Sequence, residues 1–131
     1  MHRFKIDKLV RDRMPEILRG YGITVYERQM DEQEYLRRLK DKLIEEVDEV
    51  LEATTPESLL EELADLSEII LSLAQVHGFT AEQLESVRTS KRETKGGFEK
   101  RIYNALVEVP ATSPHTAYYR AQPDKYPQVM E

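Results

Sequence analysis

Two series of apolar residues, spaced three and four apart and separated by one short break, fix most of what this chain can become. The first recurs at Leu36, Leu39, Leu43, Val47 and Val50; the second runs through Leu59, Leu60, Leu63, Leu66, Ile70 and Leu73. Such spacing lines up side chains on one face of an α-helix. Asp31 is placed to cap the first helix, with Glu34 three residues on to complete a capping box, and the helix should stop near Ala53. Thr55 and Pro56 form an N-cap and first-turn pair for the second helix, which ends at Gly78, where glycine can adopt the left-handed cap conformation. A break this short makes the two helices antiparallel neighbours. Thr80 then caps a third helix that carries Leu84 and Val87 towards Gly96 and Gly97.

The flanks are less regular. A short helix is expected from near Pro15 to Gly20, and ITVYERQ, residues 23–29, reads as extended. The stretch FEKRIYNALVEV that follows Gly97 has no firm assignment. Beyond Val109, four prolines (Pro110, Pro114, Pro123 and Pro127) preclude long helices, so this tail is expected to be extended, with Tyr118, Tyr119 and Tyr126 docking on this subunit or a neighbour. The fold class that follows is all-α: an antiparallel helix bundle, residues 1–105, completed by oligomerisation, with a Pro/Tyr-rich tail, residues 106–131.

Composition narrows the function. The 131 residues include no cysteine, which excludes a disulfide framework, thiolate metal sites and cysteine nucleophiles and fits a cytoplasmic location. No run of about 20 apolar residues points to a membrane span, and the polar start MHRFKIDKLVRDR lacks the apolar core of a signal peptide. A formal net charge of -6 argues against a nucleic-acid polymer as partner. Basic residues gather near the start and again from Arg88 to Arg101, on either side of an acidic middle. Acids that could hold a metal are thus flanked by groups that could hold phosphate.

The acids are not equivalent. With Leu43 at zero and about 100° per residue, the first apolar stripe occupies about −40° to +40°, Glu46 falls near −60° and Glu49 near −120°. Glu45 and Glu52 lie close to 180° from the stripe, where water is the expected partner. On the second helix, with Leu63 at zero, Glu62 lands near −100°, inside the apolar arc, and Asp65 near −160°, while Glu61 and Glu68 face away. A carboxylate among buried leucines costs several kcal/mol unless a counter-charge is present, and a bound cation is one way to supply it to several acids at once. Carboxylate oxygens suit hard cations such as Mg²⁺, which also recruits substrate phosphates. The plain alternative is an acid-rich amphipathic pair with Arg37, Arg38, Lys40 and Lys42 as surface partners. Spacing and direction leave both readings open.

E-x-x-E at Glu46 and Glu49, followed after 12 residues by E-x-x-D at Glu62 and Asp65, resembles the all-α nucleoside triphosphate pyrophosphohydrolases, the MazG-like superfamily that includes phosphoribosyl-ATP pyrophosphohydrolase. KLIEEVDEVLEA and LLEELADLSEII resemble its two motif helices. KLVRDRMPEIL and KRETKGGFEKRI look like a subgroup described as phosphoribosyl-ATP pyrophosphohydrolase-like. The likeness spans roughly Phe4 to Tyr103.

The resemblance implies cleavage between the α- and β-phosphates of a nucleotide, with Mg²⁺ (or Mn²⁺) as cofactor, in a homodimer or homotetramer. It carries metal-ligand roles onto Glu46, Glu49, Glu62 and Asp65, with Glu46 or Glu49 as the group that takes a proton from water. Lys91 is the first candidate phosphate contact, followed by Lys95, Arg101, Lys8 and Arg11. The Gly96 and Gly97 pair could admit phosphate to backbone N–H groups or simply end a helix. Two rivals stand beside this: phosphoribosyl-ATP hydrolysis in histidine synthesis, and a non-catalytic helical nucleotide-binding or dimerisation module. No Ser-His-Asp arrangement and no phosphate-binding G-x-x-x-x-G-K motif supports a covalent or P-loop mechanism.

Overall fold

The computed structural model describes residues 1–130, and among them five α-helices and no strand. They are α1 (Met14–Gly20), α2 (Glu32–Glu52), α3 (Pro56–Val76), α4 (Ala81–Lys95) and α5 (Thr116–Arg120). The chain divides into a compact unit, Met1–Lys95, that holds α1 to α4, and a second unit from Gly96 onward that holds α5. In the first unit α2 packs against α3, and α3 against α4. No helix among the described residues is long and apolar enough to cross a membrane.

Local chemistry sets the helix limits. The Asp31 carboxylate accepts from the Glu34 N–H at 2.8 Å and starts α2. The capping box there is only half made, because the Glu34 carboxylate instead takes a two-pronged ion pair from Arg28 at 2.6 and 2.7 Å. That pair fastens the incoming segment to the helix start. Thr55 Oγ1 accepts from Ser58 N–H at 3.1 Å with Pro56 in the first turn of α3, and Gly78 leaves that helix at φ +83°. Thr80 and Gln83 make the complete reciprocal box at α4, side chain to backbone in both directions at 2.8 and 3.1 Å. Gly96 at φ +85° follows the end of α4.

Residues 23–29 run without ladder partners, so the extended stretch read from the sequence is not a strand. Arg19 holds this segment through the Val25 carbonyl and the Glu27 carboxylate. The tail also differs from a wholly extended chain, because it contains the five-residue α5. A helix that short is marginal alone. Here the tyrosines supply the packing: Tyr118, Tyr119 and Tyr126 have ring centroids 5.2 to 5.9 Å apart, two of the three contacts being edge-to-face.

The core of the first unit is thin. Among apolar side chains of α2 and α3 only Leu39 is fully enclosed, at 1 % exposure, whereas Leu60, Leu63 and Ile70 of the second apolar series remain exposed. The α2–α3 hairpin therefore presents much of its apolar stripe outward. Beside it, one acid has taken a place in the interior.

Candidate functional site

That acid is Glu46, 6 % exposed and the one buried charged residue among those described. Its helix puts Glu49 one turn further on, and α3, folded back after the Thr54–Pro56 break, delivers Glu62 to the same place. Ligand oxygens of Glu46, Glu49 and Glu62 lie within 4.8 Å of one another, close enough to share one metal ion. Two oxygens of this group of residues, Glu46 Oε2 and Glu62 Oε2, are buried without a hydrogen-bond partner. Lys42 comes no nearer than 3.9 Å to Glu46 and also leans on Glu45 at 3.6 Å. It is too distant to satisfy the buried carboxylate.

The electrostatics follow from this crowding. Burial, then the adjacent Glu49 carboxylate, then Asp65 push the Glu46 carboxyl up to about 7, against the weaker opposing pull of Lys42. Glu49 is the main cause of the raised Glu62 carboxyl, followed by desolvation and Asp65. Three carboxylates this close at neutral pH require either shared protons or a cation. Oxygen-only donors, two of them orphaned and desolvated, fit a hard divalent ion.

Asp65 stands beside this trio and outside it. Its Oδ1 accepts from Arg11 Nη2 at 2.7 Å, while its charge still raises both Glu46 and Glu62. Glu45 departs from the sequence reading, which left it facing water. The N-terminal segment reaches that face at one point: Glu45 accepts from Lys8 Nζ at 3.0 Å, which with Lys42 holds its carboxyl below the usual range. Sequence reasoning named Lys8 and Arg11 but could not see their partners, because the contacts join residues 37 and 54 positions apart. Asp48, Glu52, Glu61 and Glu68 are exposed.

The two basic candidates on α4 are not gathered in this way. Lys91 and Lys95 are exposed on α4, and Arg101 lies in the second unit at φ +56°, its N–H bonded to the Phe98 carbonyl. Gly96 is open, with no atom within 4 Å of where a Cβ would stand.

No curated protein and no solved structure matches the chain. The family model described as phosphoribosyl-ATP pyrophosphohydrolase matches residues 22–91, a span that contains the whole α2–α3 hairpin with its carboxylates and most of α4. An all-helical hairpin with acids converging between its helices is thus joined by a match over more than half of the sequence, and the chain belongs to the phosphoribosyl-ATP pyrophosphohydrolase family, nucleotide pyrophosphohydrolases that act on phosphoric anhydrides.

Proposed function

We propose that the protein hydrolyses a nucleoside triphosphate or related nucleotide between its α- and β-phosphates, at the carboxylates between α2 and α3, and releases a monophosphate and pyrophosphate. The observation that carries this reading is the pair of buried, unpartnered oxygens on Glu46 and Glu62 within a three-carboxylate group. An arrangement so costly to the fold is sustained when a divalent cation is held there. Glu46, Glu49 and Glu62 would hold it, with Asp65 as a fourth ligand through the oxygen that Arg11 leaves open. Mg²⁺ suits the all-oxygen donor set, and Mn²⁺ is its nearest substitute. When bound, the cation neutralises phosphate charge and lowers the pKa of the attacking water.

The remaining work falls to the chain. Glu46 or Glu49 accepts the proton that water loses as its oxygen bonds to phosphorus and the anhydride bond breaks. Glu46, at 6 % exposure, is largely shielded from bulk water, which strengthens every charge interaction there. Lys91, exposed on α4, is the candidate phosphate contact from that helix. The bare apolar faces of α2 and α3 further support a homodimer or homotetramer as the working form.

The family's own description favours a second substrate, phosphoribosyl-ATP, whose hydrolysis breaks the same kind of bond. A panel that measures pyrophosphate release from NTPs, dNTPs and phosphoribosyl-ATP, with Mg²⁺ and Mn²⁺ compared, separates the two. Release from none of them would overturn the proposal.

A further inference from the structure

Apart from the carboxylate trio, the feature of the first unit that calls for a role is its N-terminal segment. The ion pairs of α2, α3 and α4 otherwise join residues a turn apart or reach a short way back along the chain. Lys8 and Arg11 are different. Lys8 bonds Glu45 on α2 at 3.0 Å, and Arg11, three residues on, bonds Asp65 on α3 at 2.7 Å. The two cations thus reach both helices of the hairpin, and each is tied to an acid near the trio: Glu45 shares Lys42 with Glu46, at 3.6 and 3.9 Å, and Asp65 lies one turn past Glu62.

Asp7 turns the chain at φ +47°, in the left-handed region that aspartate tolerates better than most residues, immediately before Lys8. Neither cation is consumed by its anchor. Their side chains are 54 % and 59 % exposed, and the Arg11 guanidinium makes one bond with a fork of five donors. Exposed pairs of this kind contribute little to stability. Two half-free cations, one tied to each helix of the hairpin that carries the carboxylate cluster, are, in contrast, well suited to a polyanion bound there.

We propose that Lys8 and Arg11 form the phosphate clamp of this site, with Glu45 and Asp65 as the positioning residues that aim them, and that the ligand class is a pyrophosphate or triphosphate chain. This inference rests on the hydrolase reading above. It assigns to the N-terminal segment, most of it outside the span shared with the family, the contacts to the phosphates.

The test is calorimetric binding of inorganic pyrophosphate in Mg²⁺, with melting temperature and KM against kcat measured alongside, on the full chain and on Lys8→Gln, Arg11→Gln, Arg11→Lys and Lys5→Gln. Lys5 is the control, a cation of the same segment that pairs only with Asp7. Expected are a loss of pyrophosphate affinity of roughly tenfold or more for each Gln variant, a matching rise in KM, partial recovery in Arg11→Lys, and wild-type behaviour in Lys5→Gln. Melting temperatures should change little. Wild-type pyrophosphate affinity in Lys8→Gln and Arg11→Gln, or losses matched by Lys5→Gln, would overturn the clamp while leaving the hydrolase intact. Failure of the wild-type chain itself to bind pyrophosphate or release it from any nucleotide would instead overturn the underlying reading, and the clamp with it.

Discussion

A carboxylate buried beside two others makes the fold sensitive to pH, and at Glu46 burial and crowding favour the protonated form. Its carboxyl is raised from 4.5 to about 7, first by burial and then by Glu49. Between those values the folded chain binds more protons than the unfolded one. The stability due to this group is therefore fully present below about 4.5 and is lost as pH rises through about 7. Glu62 shifts the same way. Glu34, Glu45 and Glu85, whose carboxyls are lowered by basic partners, act in the opposite sense but only below 4.5. In a chelating buffer the melting temperature should thus fall between pH 5 and 8, and Glu46→Gln should remove much of that fall and melt above wild type at pH 8. Saturating Mg²⁺ should reverse the order at pH 8, because the substituted amide is a poorer ligand. Parallel melting curves for the two proteins across this range would refute the assignment. Activity gives the complementary contrast: Glu62→Gln is expected to lower kcat by about 100-fold or more, whereas Glu61→Gln, on the exposed side of the same helix, should stay within about twofold. Helical geometry makes this difference between neighbours readable from sequence. It could not read Glu45, whose partner arrives from a segment with no periodicity.

Caps decide the elements, and they are local enough to be tested one at a time. Gly78 follows α3 at φ +83°, and a Cβ there would meet no other atom within 4 Å. The cost of Gly78→Ala is therefore backbone strain alone, about 1 kcal/mol, and Gly78→Asn should recover part of it because asparagine tolerates the left-handed region. Denaturant melts should show Ala below Asn below Gly; equal midpoints would mean that the turn is made some other way. Thr80→Ala removes one arm of the reciprocal box with Gln83 and should cost a similar amount. These same features explain what was legible. α1 to α4 were recoverable because three- and four-residue spacing, Thr55-Pro56, Thr80 and the glycines all act within a few residues. α5 was not, because it depends on three tyrosine rings meeting across a turn, and neither Tyr118 nor Tyr126 predicts that contact alone. The half-made box at Asp31 was hidden for a like reason: Arg28 competes for Glu34, and only the path of the preceding chain reveals it.

At the scale of the whole molecule, surface area raises the question of what completes the fold. In the first unit Leu60, Leu63 and Ile70 of α3 are 69 %, 42 % and 41 % exposed. On α2 the apolar surface widens past the edge of the first stripe, where Ile44, Val47 and Leu51 are 63 %, 39 % and 77 % exposed. With Leu43 at zero these residues lie at about +100°, +40° and +80°, on the flank of the helix away from Glu46 and Glu49. A second copy can therefore cover them without entering the carboxylate site. Light scattering at micromolar concentration should give a mass of two or four times 15.3 kDa. Ile44→Asp with Leu51→Asp should break that assembly and lower the melting temperature together, since the desolvation cost of two aspartates opposes association. If the wild-type chain is instead a stably folded single copy, the exposed stripe has another purpose. If the double variant dissociates yet keeps its melting temperature, α2 and α3 are stable without the partner, and the thin core around Leu39 is sufficient by itself.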